Sequence, residues 1–238
     1  MRFALVIVLA CSLLAAGCHS ASRDADGDGI PDLEEQRLAG QLFPALHAPA
    51  ADACPAPLDP KPVLFRARHP SVDGRVDPSY IAINYVILFD ADCGDGPHAG
   101  DDEPLVVFAR QDANGAYVFD SLAATAHTHT AIELRTNSRS PDVWMQPNKH
   151  SLFADPARCP GCDPRGAVLR IQLFNAGEPD RPMISDLGLI ARKYRGVDPW
   201  SPTARFFGAG IIGAEDLGLT YFTYLTRPPG AADARWDD

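Results

Sequence analysis

The sequence predicts a mainly β fold, an antiparallel β-sandwich with one N-terminal helix and long loops. Three observations carry this expectation. Short runs of β-branched and aromatic residues recur from Pro49 onward. The 22 Pro and 19 Gly favour many turns and few long helices. Ala167–Phe174 sets Leu169, Ile171 and Leu173 against Val168, Arg170 and Gln172, the period-two pattern of a half-buried antiparallel strand.

At the amino end, Met1-Arg2 precedes an apolar run, Phe3–Leu14, that closes on Leu14-Ala15-Ala16-Gly17-Cys18. Such a run is a secretory signal, too short for a stable membrane span. The closing residues resemble the bacterial lipobox, which implies removal of residues 1–17, acylation (palmitate) of Cys18 and a lipid anchor in the cell envelope. His19 after the cysteine points to the outer membrane. Residues 1–18 are thus expected to be a lipoprotein signal peptide with its lipid-acceptor cysteine, 19–36 a tether and 37–238 a β-sandwich domain.

The tether holds a spaced set of carboxylates. Asp24, Asp26, Asp28, Asp32 and Glu35 stand at positions 1, 3, 5, 9 and 12 of a loop with Gly29 at position 6 and the Ile30 carbonyl at 7. That spacing wraps oxygen ligands around calcium. Pro31 departs from the usual helix-loop-helix form, and the expected role is structural. A helix should follow, with Leu38, Leu42 and Leu46 on one apolar face and Pro44 bending or ending it.

Expected strands are Tyr80–Phe89, Leu105–Arg110, Ala116–Phe119, Thr128–Arg135, Asp142–Gln146, Ala167–Phe174 and Thr220–Leu225. Asn114-Gly115 marks a hairpin turn between the second and third. Beyond Cys11 and Cys18, four cysteines remain: Cys54, Cys93, Cys159 and Cys162. In an oxidising envelope they read as two disulfides, with Cys54–Cys93 and Cys159–Cys162 the favoured pairing among three. The Cys-Pro-Gly-Cys spacing also suits redox or zinc sites, but its surroundings read as loop. The formal charge is −10, and no Lys/Arg cluster offers a nucleic-acid surface.

The densest chemistry lies between the first two expected strands. Asp90, Asp92, Asp95, His98, Asp101, Asp102 and Glu103 fall within fourteen residues, expected as a loop at one edge of the sheet. So many charges cannot be buried without water or a cation to compensate them. His98, Asp101 and Glu103 could converge on one ion, with Asp90 or Asp92 as a further ligand. A carboxylate-rich set with one imidazole suits magnesium, calcium or manganese better than zinc. His127 and His129 share a strand face, and they or His150 could join the site, either holding its ligands in place or acting as acid and base.

His98-x-Gly100-Asp101-x-Glu103 entering a Val-Val strand resembles the central motif of necrosis-inducing-like proteins and of the related vacuolar-protein-sorting-62-like domain. Leu42–His47 with Cys54-Pro55 is similar to that family's opening segment, and Trp144 with Asn148-Lys149-His150-Ser151 to a later strand. The resemblance covers roughly residues 38–155. It implies His98, Asp101 and Glu103 as cation ligands, with Asp90 matching an upstream Asp, and a role in binding membrane lipid headgroups. Gly100, Asp102 and Pro97 depart from the necrosis-inducing pattern and fit the sorting-like branch better.

No nucleophile elbow, phosphate-binding loop or dinucleotide fingerprint occurs. The sequence therefore points to a membrane-anchored protein, leaning to a non-enzyme, that binds a glycan or lipid headgroup through a divalent cation. The alternatives are a metal-dependent hydrolase of envelope glycan or lipid, and a calcium-stabilised scaffold.

Overall fold

The computed structural model describes residues 23–54, 58–72, 75–126, 130–135, 142–175, 205–206 and 210–211. Cys18 with its signal, His127, His129 and the expected strand Thr220–Leu225 lie outside them.

Among the described residues one α-helix, α1 (Asp32–Leu42), precedes thirteen strands: β1 (Ala45–His47), β2 (Lys61–Arg68), β3 (Ser71–Val72), β4 (Arg75–Val76), β5 (Tyr80–Asp92), β6 (His98–Gln111), β7 (Tyr117–Ala126), β8 (Thr130–Arg135), β9 (Asp142–Met145), β10 (Leu152–Phe153), β11 (Ile171–Asn175), β12 (Arg205–Phe206) and β13 (Gly210–Ile211). The main sheet runs β11-β2-β5-β6-β7-β8, and a smaller one β1-β9-β10. The mainly β expectation holds, with a modification of the antiparallel one: β11 pairs with β2 and β1 with β9 in parallel.

Asp32, Glu34 and Glu35 occupy the first turn of α1, where carboxylates meet the positive end of the helix dipole. The helix stops at Leu42 because Pro44 forces Phe43 into extended backbone, at φ −61° and ψ 128°. Leu46, expected on the helix face, lies instead in β1. Its side chain still reaches the same core, so the four-residue recurrence survives a change of element.

Both sheets and the helix share one core. Leu38, Ala39 and Leu42 of α1 pack with Val63 and Phe65 of β2, Ile81, Ile83, Tyr85 and Ile87 of β5, Leu105 and Val107 of β6, and Val143, Met145 and Leu152 of the small sheet. The Tyr85 hydroxyl donates to the Ala39 carbonyl at 2.9 Å, and Phe43 meets the Tyr85 ring edge-on. A buried Tyr needs such a partner for its polar end, and this one fixes the helix against the sheet centre. The opposite face carries Leu64, Ala82, Val86, Leu88, Val106 and Phe108, also buried. A sheet buried on both faces explains why Tyr80–Phe89 is nearly all apolar rather than alternating.

The acidic segment is not an edge loop. β5 and β6 are the central pair of the main sheet, and their ladder continues through Phe89↔Asp101 and Ala91↔Ala99 to Asp92↔His98. Only residues 93–97 turn. The structure corrects the expectation because ladder pairing reaches six residues upstream of the Pro104 position, to His98, through Gly100 at φ +76°, a backbone conformation glycine adopts without penalty. Beyond β6, Asn114-Gly115 forms the expected hairpin turn, with the Asp112 carboxylate accepting from the Asn114 and Ala116 amides.

Candidate functional site

Alternation along a strand puts every second side chain on one face. Pairing with Ile87 and Phe89 places Glu103 and Asp101 on the face that carries Leu105 and Val107. The core face of the central strands therefore ends in two carboxylates, 7% and 8% exposed. His98 heads β6 opposite Asp92; the direction of its side chain lies outside the described residues.

His150 closes this end. Its Nδ1 lies 3.2 Å from Asp101 Oδ2, its Nε2 lies 3.1 Å from Asp52 Oδ2, and its ring stacks on Phe89 at 4.0 Å between centroids. The backbone presenting it is strained: Asn148 and His150 have φ of +66° and +58°, an uncommon region for non-glycine residues. The same turn gathers its neighbours. The Asn148 carbonyl accepts from the amides of Cys93 and Gly94, and its side-chain oxygen from the amide of Ala53. Lys149 pairs with Asp92 at 2.9 Å and donates to the Asp95 carbonyl.

Cys54 is disulfide-bonded to Cys93 and Cys159 to Cys162, the favoured pairing. The first bond ties the arm carrying Asp52 to the β5–β6 turn. Across the sheet from Phe89, Lys61 of β2 sets its Nζ 4.4 Å from the Phe89 centroid, with 2% of its surface exposed. Burial pushes this ammonium down to about 8, against the opposing pull of Asp90 and Asp52.

The sheet end thus joins Asp101 to His150 and adds Lys149 of the same segment, together with Asp52 and Lys61, which the residue pattern did not single out. A signal for Asp52 was present: once Cys54 pairs with Cys93, a carboxylate two residues away must lie near the acidic segment. Asp92 is buried and paired with Lys149, whereas Asp90 is half-buried. Among the described residues, three or more ligand atoms fall within 4.8 Å of one another in two places: Asp52, Cys54 and His150, and Asp24, Asp26 and Asp28. In the first, the Cys54 sulfur is already committed to the disulfide.

The second place is the N-terminal loop. Residues 24, 26 and 28 are half-buried while 25, 27 and 29 are exposed. Asp24 accepts from the amides of Gly27, Asp28 and Gly29, and Asp32 from that of Ala25. Burial and the charges of Asp26 and Asp24 raise Asp28 to about 6, although the Ile30 amide acts against the shift. These residues could hold a cation.

No protein-family model and no curated protein matches the chain. Solved structures that resemble it include "NLPPya in complex with glucosamine", with 18% identity and a TM-score of 0.39 over 59% of this chain and 72% of that one. Another is "Necrosis and Ethylene inducing Protein 2 from the causal agent of cocoa's Witches Broom disease", 18% identical with a TM-score of 0.38, over 58% of this chain and 72% of that one. A third, "Toxin fold for microbial attack and plant defense", is 18% identical with a TM-score of 0.39 over 64% and 82%. These likenesses are partial and of low identity.

Proposed function

We propose that this chain is an envelope protein, anchored through Cys18, that binds a polar glycan or lipid headgroup at the end of its main sheet through a divalent cation. Asp101 and Glu103 supply carboxylate oxygens, with Asp90 and His98 as the further donors. Magnesium, calcium and manganese suit such a set. A cation with open positions is completed by ligand hydroxyls or phosphates, which gives recognition without bond cleavage.

The observation that carries this reading is the charge in one corner of the fold. Asp52, Asp90, Asp92, Asp101 and Glu103 gather there against Lys61, Lys149 and His150, and most of them are buried. Carboxylate oxygens gathered in this way, with an imidazole beside them, are the donor set that hard divalent cations take. The strained turn at Asn148 and His150 adds support, since such conformations gather at functional sites.

A hydrolase would need an imidazole free to shuttle a proton beside metal-bound water. Both ring nitrogens of His150 are engaged by carboxylates, which favours binding over hydrolysis.

The test is binding of the full chain in detergent to immobilised glycans and headgroup-bearing vesicles, with each of the three cations and with chelator. Cation-dependent binding to one ligand class should fall at least about tenfold, about 1.4 kcal/mol, in Asp101→Asn/Glu103→Gln, with the melting transition kept. Full binding by that double variant would refute the assignment.

A further inference from the structure

The N-terminal loop does not hang free of the domain. Glu35, at the loop's twelfth position and in the first turn of α1, is 1% exposed. Its Oε2 accepts from Asn175 Nδ2 of β11 at 2.9 Å, while Oε1 has no hydrogen-bond partner. Asp26 lies 3.4 Å from the Arg66 guanidinium of β2, and its Oδ1 is likewise buried and unpartnered, as is Asp28 Oδ2. The ligand oxygens of Asp24, Asp26 and Asp28 lie within 4.8 Å of one another, and the negative charges of Asp26 and Asp28 act on Glu35. Ile30 buries its side chain in the core, fixing the backbone whose carbonyl stands at position 7.

Buried carboxylate oxygens are ordinarily hydrogen-bonded. Here Asp26, Asp28 and Glu35 each keep a buried oxygen unpartnered, and Asp26 and Asp28 gather with Asp24 beside the Arg66 guanidinium. Five or more oxygen donors closed by a Glu suit calcium, whereas magnesium demands a tighter octahedron and keeps several waters. The outer contacts matter as much. Arg66 and Asn175 belong to β2 and β11, the parallel pair at the margin of the main sheet, which joins segments far apart in sequence.

We propose that Asp24, Asp26, Asp28, Ile30 and Glu35 form a calcium site whose ion staples the β2–β11 margin to α1, with Arg66 and Asn175 as its positioning residues. The site is independent of the sheet-end reading, because no residue is shared. Calcium neutralises the mutual repulsion of the carboxylates, and the contacts to Arg66 and Asn175 pass that order to the two strands. The loop is then part of the domain's fold, not of its tether.

The experiment combines calcium titration calorimetry with hydrogen exchange on the full chain in detergent. Wild-type protein should bind one calcium at the loop, and exchange at residues 61–68 and 171–175 should slow at least about tenfold when it does. Asp28→Asn and Glu35→Gln should weaken binding by about 100-fold or more through loss of ligand charge. Asn175→Ala, which leaves every ligand in place, should cost about tenfold. Asp101→Asn/Glu103→Gln should leave loop binding unchanged. Absence of loop binding in the wild type, a measurement that requires no variant to fold, would overturn the site. Binding without slower exchange in β2 and β11 would overturn the staple.

Discussion

Lys61 carries an ammonium into the core side of the sheet, where desolvation favours the neutral amine and the Phe89 ring and two carboxylates favour the charged one. Desolvation wins, and the group sits at about 8 instead of its ordinary 10.5. The native chain then binds fewer protons than the unfolded chain between those values, so stability rises with pH across that window and is lowest below it. Lys61→Met should remove this slope, which amounts to roughly 3 kcal/mol for a shift of that size, as measured by urea unfolding from pH 7 to 10. An unchanged slope would place the ammonium in water. Little of this was legible in the sequence. Lys61 stands beside Pro62, in a run whose prolines disguise a strand paired on both sides, and a single lysine says nothing of burial. His150 was legible as a candidate through its Asn-Lys-His-Ser context, whereas its two carboxylate partners come from 98 and 49 residues away, a pairing that only tertiary structure provides.

At the scale of elements, the disulfide Cys54–Cys93 and the turn at Asn148 work together. One pins the Asp52 arm to the β5–β6 turn, and the other accepts hydrogen bonds from both. Closing 39 residues of chain constrains the unfolded state by about 3–4 kcal/mol in the chain-entropy account. Cys54→Ser/Cys93→Ser should therefore lower unfolding free energy by about that amount. It should also weaken cation-dependent ligand binding, because Asp52 is no longer held on His150; binding at wild-type strength would separate the arm from the site. The favoured pairing was legible because four cysteines beyond Cys11 and Cys18 leave only three pairings. β2 was missed, since Pro62 removes a backbone donor and reads as a break, yet the strand accommodates it at its second residue. The acidic segment was misread as loop for a related reason: charge and Gly100 signal a turn, but pairing with the apolar Phe89 and Ile87 extends the ladder past both.

Over the whole molecule, apolar residues from both sheets and α1 meet in one core, and the buried carboxylates among the described residues separate into two groups at its margins. One is bound up with the N-terminal loop, the other with the end of the β5–β6 pair. This division was legible, because it follows from local spacing: Asp-x-Asp-x-Asp-Gly in one stretch, His98 to Glu103 in the other. The burial of Asp101 and Glu103 was not, because it depends on where the core face ends. Both groups offer the oxygen donors that hard divalent cations take, so both should take a cation. Anomalous diffraction from crystals of the full chain soaked in manganese tests this directly. The account predicts one peak within the Asp24–Glu35 loop and a second against Asp101 and Glu103 with at least one coordination position open to solvent. A strong loop peak with no density at Asp101 and Glu103 would contradict cation-dependent ligand binding at the sheet end.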